Sequence, residues 1–198
     1  NTLQLMRKNT QRLLLLVNNL MDVQKYDSQK MVLQKEKFEL SVFVQELYEL
    51  FVPVAKNRNI TFTQKNELPV DYYVYYDRQE IEKVLFNLLS NAFKFTPEKG
   101  TIEIKLSVLS SENDVVRVKL CHFQHLSEDY YLHIQVSDNG EGITSEDIEK
   151  IFQPFYRSSQ DLHHQIAGSG IGLSLARFIV EQHSGIIWAE NIVPTGTC

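Results

Sequence analysis

Two cysteines in 198 residues, Cys121 and Cys198, are too few to frame a disulfide-stapled fold, and a reducing compartment is the default expectation. They form no CxxC pair and no HxxxH spacing occurs, so the common zinc signatures are missing. No apolar run approaches the ~20 residues a membrane-spanning helix needs, and no signal peptide opens the chain. A cationic surface is lacking too. Twenty Lys and Arg stand against 25 Asp and Glu, a net charge of -5, which argues against a nucleic-acid-binding surface as the main function. Glycine is sparse at eight, and the loops that gather it are the most informative stretches of the chain.

What is present is a core-forming composition: 43% apolar and 11% aromatic residues, in a length that suits one domain plus an extension. Charge is uneven. Residues 1–34 carry five Lys/Arg against two Asp/Glu, while the remainder carries 15 against 23. An acidic domain that binds a nucleotide must keep its cations local or let a metal mask the phosphates. Asn1 is not a natural start and the chain stops abruptly at Cys198, so both ends are expected to continue.

Two units are expected, residues 1–33 and 34–198. Residues 3–27 read as one long helix, with Leu3, Met6, Thr10, Leu13, Val17 and Leu20 in alternating steps of three and four. Its wide apolar surface suits either an ordinary core helix or a dimerising bundle. Phe38 and Leu40 suggest a short extended stretch, Ser41 a cap for a helix to about residue 56, and residues 60–63 a strand. Tyr72 to Tyr76 form a further strand. Asp77 with Glu80 makes a capping box for a helix whose buried face carries Ile81, Val84, Leu85, Leu88, Leu89 and Ala92. Residues 101–109, 115–123 and 130–137 predict an antiparallel meander of three strands. Residues 146–152 predict a short helix, 153–171 an irregular loop containing His163-His164, 172–182 a helix, and 186–190 a strand with the sole Trp188. The fold class is α+β.

Three segments carry chemistry. Asn87, Asn91 and Lys94, preceded by Lys83, share one helix face at spacings of four and three. Amides are costly to bury unsatisfied and are reasonable where a ligand or hydrated metal meets them. Asn91 can ligate Mg²⁺ through its side-chain oxygen and Lys94 can meet phosphate; helix-surface amides are the plain alternative. Asp138-Asn139-Gly140-Glu141-Gly142 follows a strand, and its glycines bring backbone close to a flat ligand. Asp138 can accept from an exocyclic amine such as adenine's; a tight surface turn is the alternative. Gly168-Ser169-Gly170-Ile171-Gly172 opens a helix, where free amides can cradle phosphate. It follows no strand and lacks GK[ST], so it is neither a dinucleotide fingerprint nor a Walker loop. Between the two glycine segments lies Phe152-Gln153-Pro154-Phe155-Tyr156-Arg157, read as hydrophobic anchoring of a lid, with Arg157 either solvent-facing or a phosphate contact.

The order of these segments resembles the ATP-binding domain of bacterial sensor histidine kinases, within the Bergerat-fold superfamily that includes Hsp90, DNA gyrase B and MutL. The resemblance covers nearly the whole chain, and residues 13–31 resemble the second helix of the family's dimerisation and phosphotransfer domain. It implies a two-layer α/β sandwich preceded by a long helix, with ATP and Mg²⁺ as cofactors. It further implies that Asn91 holds Mg²⁺, Asp138 recognises adenine N6, and Gly140 and Gly142 shape the base pocket. Lys94 then approaches the phosphates, Gly168, Gly170, Ile171 and Gly172 wrap them, and Phe155 and Arg157 complete the site. Asn87 stands where hydrolytic relatives carry a water-activating glutamate, so transfer to histidine is implied over hydrolysis. A non-catalytic interaction module and an ATP-hydrolysing relative are the alternatives.

The resemblance implies a homodimer through the N-terminal helices, a response-regulator partner, no direct nucleic acid contact, and a cytoplasmic domain of an inner-membrane sensor. The family's acceptor histidine is followed by Glu or Asp. The six histidines here are followed by Phe123, Leu126, Ile134, His164, Gln165 and Ser184, so the acceptor is expected elsewhere. Gly196-Thr197 resembles the start of the family's last glycine motif, without its expected closing strand.

Overall fold

The computed structural model describes residues 32–110, 130–158, 168–192 and 196–198. The long helix expected over 3–27, the strand expected over 115–123 and the His163-His164 stretch lie outside the described residues. Along the chain run β1 (Glu36–Glu39), α1 (Leu40–Asn57), β2 (Thr61–Asn66), β3 (Tyr73–Tyr76), α2 (Arg78–Phe95), β4 (Thr101–Ser110), β5 (Tyr130–Asp138), a 3-10 turn (Lys150–Phe152) and α3 (Gly172–Gln182). The sheet order is β2-β4-β5, with β2 parallel and β5 antiparallel to β4; β1 and β3 form a separate antiparallel pair.

Helices pack on the sheet because each presents apolar residues three and four apart. In α1 these are Leu40, Phe43, Val44, Leu47, Phe51 and Ala55, all buried. Opposite them, the alternating Ile102, Ile104 and Leu106 of β4 are buried, in a register that sets Ile104 beside Val136 and Leu106 beside Ile134. Aromatic rings bind the layers: Tyr48 of α1 stacks on Phe62 of β2 at 4.5 Å, and Phe93 of α2 meets the same Phe62 edge-on at 5.2 Å. The result is the expected mixed two-layer α/β sandwich. A second cluster, Val84 with Leu175, Ala176 and Ile179, packs α3 against α2. So α2 contacts the main core on one side and α3 on another.

Several local expectations change. Leu40 opens α1 instead of closing a strand, and its N–H donates to the Tyr72 carbonyl (3.1 Å). Ser41 does not cap that helix; its hydroxyl turns back to Glu39 Oε1 (2.6 Å). Asp77 does cap α2, accepting from the Glu80 N–H (3.2 Å). The return half of the capping box is replaced, however, because the Asp77 N–H donates to His183 Nε2 (3.1 Å). The three-strand meander is also overturned. Strand β4 is flanked by β2 and β5, because the apolar alternations of β4 and β5 match directly across nine paired residues. Residues 145–149 form turns before the 3-10 segment, not a helix from residue 146.

Residues 186–190 join no regular ladder. Trp188 stacks on His133 instead (centroids 5.6 Å apart), and Glu190 exchanges two hydrogen bonds with Cys198 (2.9 and 2.8 Å). Thr197, in turn, bridges both Asp138 and Asn191. The pairing that the sequence left without a closing strand is therefore begun by the chain's own last residues.

Candidate functional site

The polar face of α2 becomes a cavity wall between the side that joins the core and the side that meets α3, while Gln79, Glu82, Phe86 and Ser90 face solvent. Asn87, Asn91 and Lys94 line a cavity of about 1680 Å³, together with Asp138, Gly140, Gly142, Arg157, Gly168, Gly170 and Gly172. This exceeds the ~300–1,000 Å³ of typical ligand pockets and is roomy enough for a nucleoside triphosphate. Phe155 and Ile171, also candidates, stand off the wall. Ile171 is buried. Phe155 is 59% exposed at a backbone φ of 64°, while Phe152 supplies the buried anchor. Lys83, which extends the polar face by sequence, pairs with Glu80 at 2.7 Å.

The glycine loop and the α2 face meet at two points. A methyl group placed on Gly172 would come within 2.8 Å of Asn87 Oδ1, and one on Gly168 within 3.0 Å of Lys94 Nζ. The absence of side chains there is what allows the close approach. Gly170 has φ 72°, and its carbonyl accepts the Phe155 N–H (2.9 Å), so the loop is fastened to the phenylalanine segment. That segment is held from its other side by the Tyr156 hydroxyl, which donates to Asp147 Oδ1. The Lys94 ammonium lies over the Phe95 ring, 4.5 Å from its centroid. Arg58 closes the end of α2, donating to the Phe93 and Thr96 carbonyls, a favourable place for a cation at a helix C-terminus.

Across the cavity, Asp138 ends β5. Its Oδ1 accepts the Gly140 N–H (2.8 Å), and its own N–H donates to the Thr197 carbonyl (2.9 Å). Burial pushes its carboxyl above the ordinary range, with backbone hydrogen bonds from Gly140 and Thr197 acting the other way. A carboxylate held at such a cost suits a site where a donor arrives with the ligand. Asn139 and Asn191 tie the turn down: Asn139 Oδ1 accepts the Thr101 N–H (2.7 Å), and Asn191 pairs with Ile143. Thr197, Tyr156 and Asp147 also line the cavity, though sequence reasoning gave them no site role. Thr197 was visible only as the residue after Gly196; the other two sit in stretches whose motif value lies in the neighbouring phenylalanines.

Among the described residues no group of three or more His, Cys, Asp or Glu could hold a metal ion. A cation at this site would rest on the Asn91 amide oxygen and on the phosphates it accompanies, a donor set that suits Mg²⁺ with a nucleotide.

Comparison with known proteins places these features in a family. Residues 76–198 match the model of the histidine kinase-, DNA gyrase B- and HSP90-like ATPase family. The chain is 36% identical to Histidine kinase P4 of Formosa agariphila over 93% of its length, covering 12% of that protein. It is 31% identical to the sensor histidine kinase WalK of Bacillus subtilis over 98% of its length, covering 29% of that protein. Among solved structures, the catalytic domain of histidine kinase ThkA superposes with a TM-score of 0.63 at 31% identity, over 83% of this chain and 91% of that one. ThkA in complex with the response regulator TrrA superposes with a TM-score of 0.67 at 29% identity, over 95% of this chain and 47% of that one. The chain therefore spans less than a third of the first two curated relatives. It belongs to the histidine kinase-, gyrase B- and HSP90-like ATPase family, and within it is homologous to sensor histidine kinase catalytic domains.

Proposed function

We propose that this chain binds ATP with Mg²⁺ as the catalytic module of a two-component sensor kinase, holding ATP as the phosphoryl donor and ADP as the leaving group. The γ-phosphoryl goes to a histidine outside these 198 residues, for relay to an aspartate on a response regulator. One observation carries the reading: a single cavity joins the half-buried Asp138 carboxyl to the Asn87, Asn91 and Lys94 face and to the glycine loop. In this reading Asp138 accepts from the adenine amine. Gly140 and Gly142 let backbone lie against the ring. Lys94, Arg157 and the amides of the Gly168 to Gly172 loop hold the phosphates. Asn91 would hold Mg²⁺, which when bound neutralises phosphate charge and orients the γ-group.

Asn87 decides between transfer and hydrolysis. Its amide, set against Gly172, is no proton acceptor, so water in the site gains no general base from it. An imidazole acceptor needs none, because its neutral nitrogen is already a nucleophile. Catalysis then consists of holding the triphosphate in line and balancing its charge. No helix among the described residues is long and apolar enough to cross a membrane. We place the intact protein as a homodimer through its N-terminal helices, with this domain on the cytoplasmic side of a bacterial inner membrane. The ThkA complex with TrrA supports a response-regulator receiver domain as partner.

Calorimetric titration with Mg·ATP, followed by incubation with γ-labelled ATP, tests the proposal. Saturable binding without self-labelling is expected. Stable phosphohistidine on this chain alone would overturn the external acceptor, steady phosphate release would favour the hydrolytic alternative, and no binding would favour a non-catalytic interaction module.

A further inference from the structure

The turn from Asp138 to Ile143 carries the proposed base contact at one end, and both its ends are referred to a single residue outside it. At the first end, Asn191 forms a backbone bridge with Thr197, Thr197 bridges Asp138, and the Thr197 carbonyl accepts the Asp138 N–H at 2.9 Å. At the second end, Asn191 Oδ1 accepts the Ile143 N–H (2.8 Å) and Nδ2 donates to the Ile143 carbonyl (2.6 Å). A primary amide carries the donor and acceptor of a peptide group, so this side chain pairs with Ile143 as a neighbouring strand would. The fit is close. Gly142 has φ 79°, and a methyl group on it would fall 2.9 Å from Asn191 Oδ1. Any side chain at position 142 would displace the amide.

The span from Asp138 to Ile143 is therefore tied at both ends to Asn191, beside the pairing of Asp138 with Ile102 and of Asn139 with Thr101 at its first end, and at its Ile143 end the bonds are to the Asn191 amide. Within that span, the Gly140 N–H fixes the Asp138 carboxylate by its 2.8 Å bond to Oδ1. Asn191 itself is exposed and does not line the cavity. Water competes for each of its bonds, so their net worth to folding is small. Their effect falls on where the Asp138 carboxylate points.

We propose that Asn191 is a positioning residue for the base pocket: its amide clamps Ile143 and so sets the discrimination between purines with a 6-amino group and purines with a 6-oxo group. This rests on the nucleotide reading above. A 6-oxo purine presents an acceptor to the Asp138 carboxylate, so preference for the amino form requires that carboxylate to stay in place.

The test uses the full chain and measures Kd for Mg·ATP and Mg·ITP, with amide exchange at Ile143 followed by NMR. The unaltered chain should prefer ATP and protect the Ile143 amide. Asn191→Ala should lose that protection and bind ATP roughly tenfold more weakly, the order expected for losing one well-placed hydrogen bond. ITP binding should change little, so the ATP/ITP preference falls. Asn191→Asp keeps the acceptor and loses the donor, and should fall between; it also carries the test should the alanine variant fail to fold. A full ATP/ITP preference in both variants, or equal weakening of ATP and ITP, overturns the inference while leaving the ATP site standing. No preference in the unaltered chain overturns the assignment of Asp138, and this inference with it.

Discussion

Replacing Asp138 with Asn separates binding from stability at one atom position. The substitution keeps an oxygen that can accept the Gly140 N–H, which lies 2.8 Å from Oδ1. It replaces the second carboxylate oxygen with an NH₂, so an incoming amine meets a donor. A hydrogen bond to a charged acceptor contributes about 1.5–3 kcal/mol, and its loss should weaken Mg·ATP binding by roughly 10- to 150-fold. Stability should move the other way. Burial raises the Asp138 carboxyl above its ordinary value of 3.8, so over the interval between that value and the folded one the native state binds more protons than the unfolded state. Stability from this group is fully present below the ordinary value and is lost as pH rises through the folded one. The amide resembles the protonated acid and has no such slope. The Tm of Asp138→Asn relative to the unaltered chain should therefore increase as pH rises above the ordinary carboxyl value and level off once the raised one is passed. Calorimetric titration and thermal melts across this range provide both readings. Unchanged ATP affinity, or a Tm several degrees lower at pH 7, would refute the reasoning.

Three further outcomes follow from contacts elsewhere. Gly170→Ala should lower both Tm and ATP affinity, because φ is 72° and the new methyl would lie 2.7 Å from the Phe155 carbonyl carbon; strain of about 1–3 kcal/mol should appear in a urea melt. His183→Ala strips the Asp77 N–H of its acceptor and should cost about 1–3 kcal/mol of unfolding free energy in the same assay. The Tyr156 hydroxyl holds the Asp147 carboxyl below its ordinary range, so this contact stabilises above the usual Asp value and fades as pH falls through the lowered one. The Tm gap between the unaltered chain and Tyr156→Phe should thus be present at pH 7 and shrink below pH 4.

Legibility tracked the range of the interaction. Strand β5 and helices α2 and α3 were readable because alternation, a capping Asp77 and a glycine-rich start act within a few residues. Helix α3 begins and ends at the expected positions, Gly172 and Gln182. The polar face of α2 was readable as a pattern, and the glycine loops as turns. Misreadings arose where an unexpected partner outbid the expected one, near or far in sequence. Glu39 took the Ser41 hydroxyl from its capping role. Nothing in the run of residues 101–137 indicates that β4 and β5 pair directly, since that depends on two alternations coming into register across the sheet. Trp188 looked like part of a strand by composition and instead stacks on His133, a contact between residues 55 apart in sequence. Asn191 gave no sequence signal at all, because a side chain acting as a strand leaves the same letter as one in solvent.

The hydrogen bonds of Asp77 tie the far end of α3 to the start of the described chain. The two ends of that helix sit at different jobs: Gly172 at its start lies against Asn87, and His183 just past its close takes the Asp77 N–H. Asp77 also receives the Gln34 N–H on Oδ2 at 2.7 Å, where the chain passes into β1. The helix spans the distance between these points, so its glycine end and its histidine end belong to one element, with His183 one residue from Gln34 through Asp77. A continuous run of contacts thus leads from Asn87 at the cavity wall along the eleven residues of α3 to His183, Asp77 and Gln34.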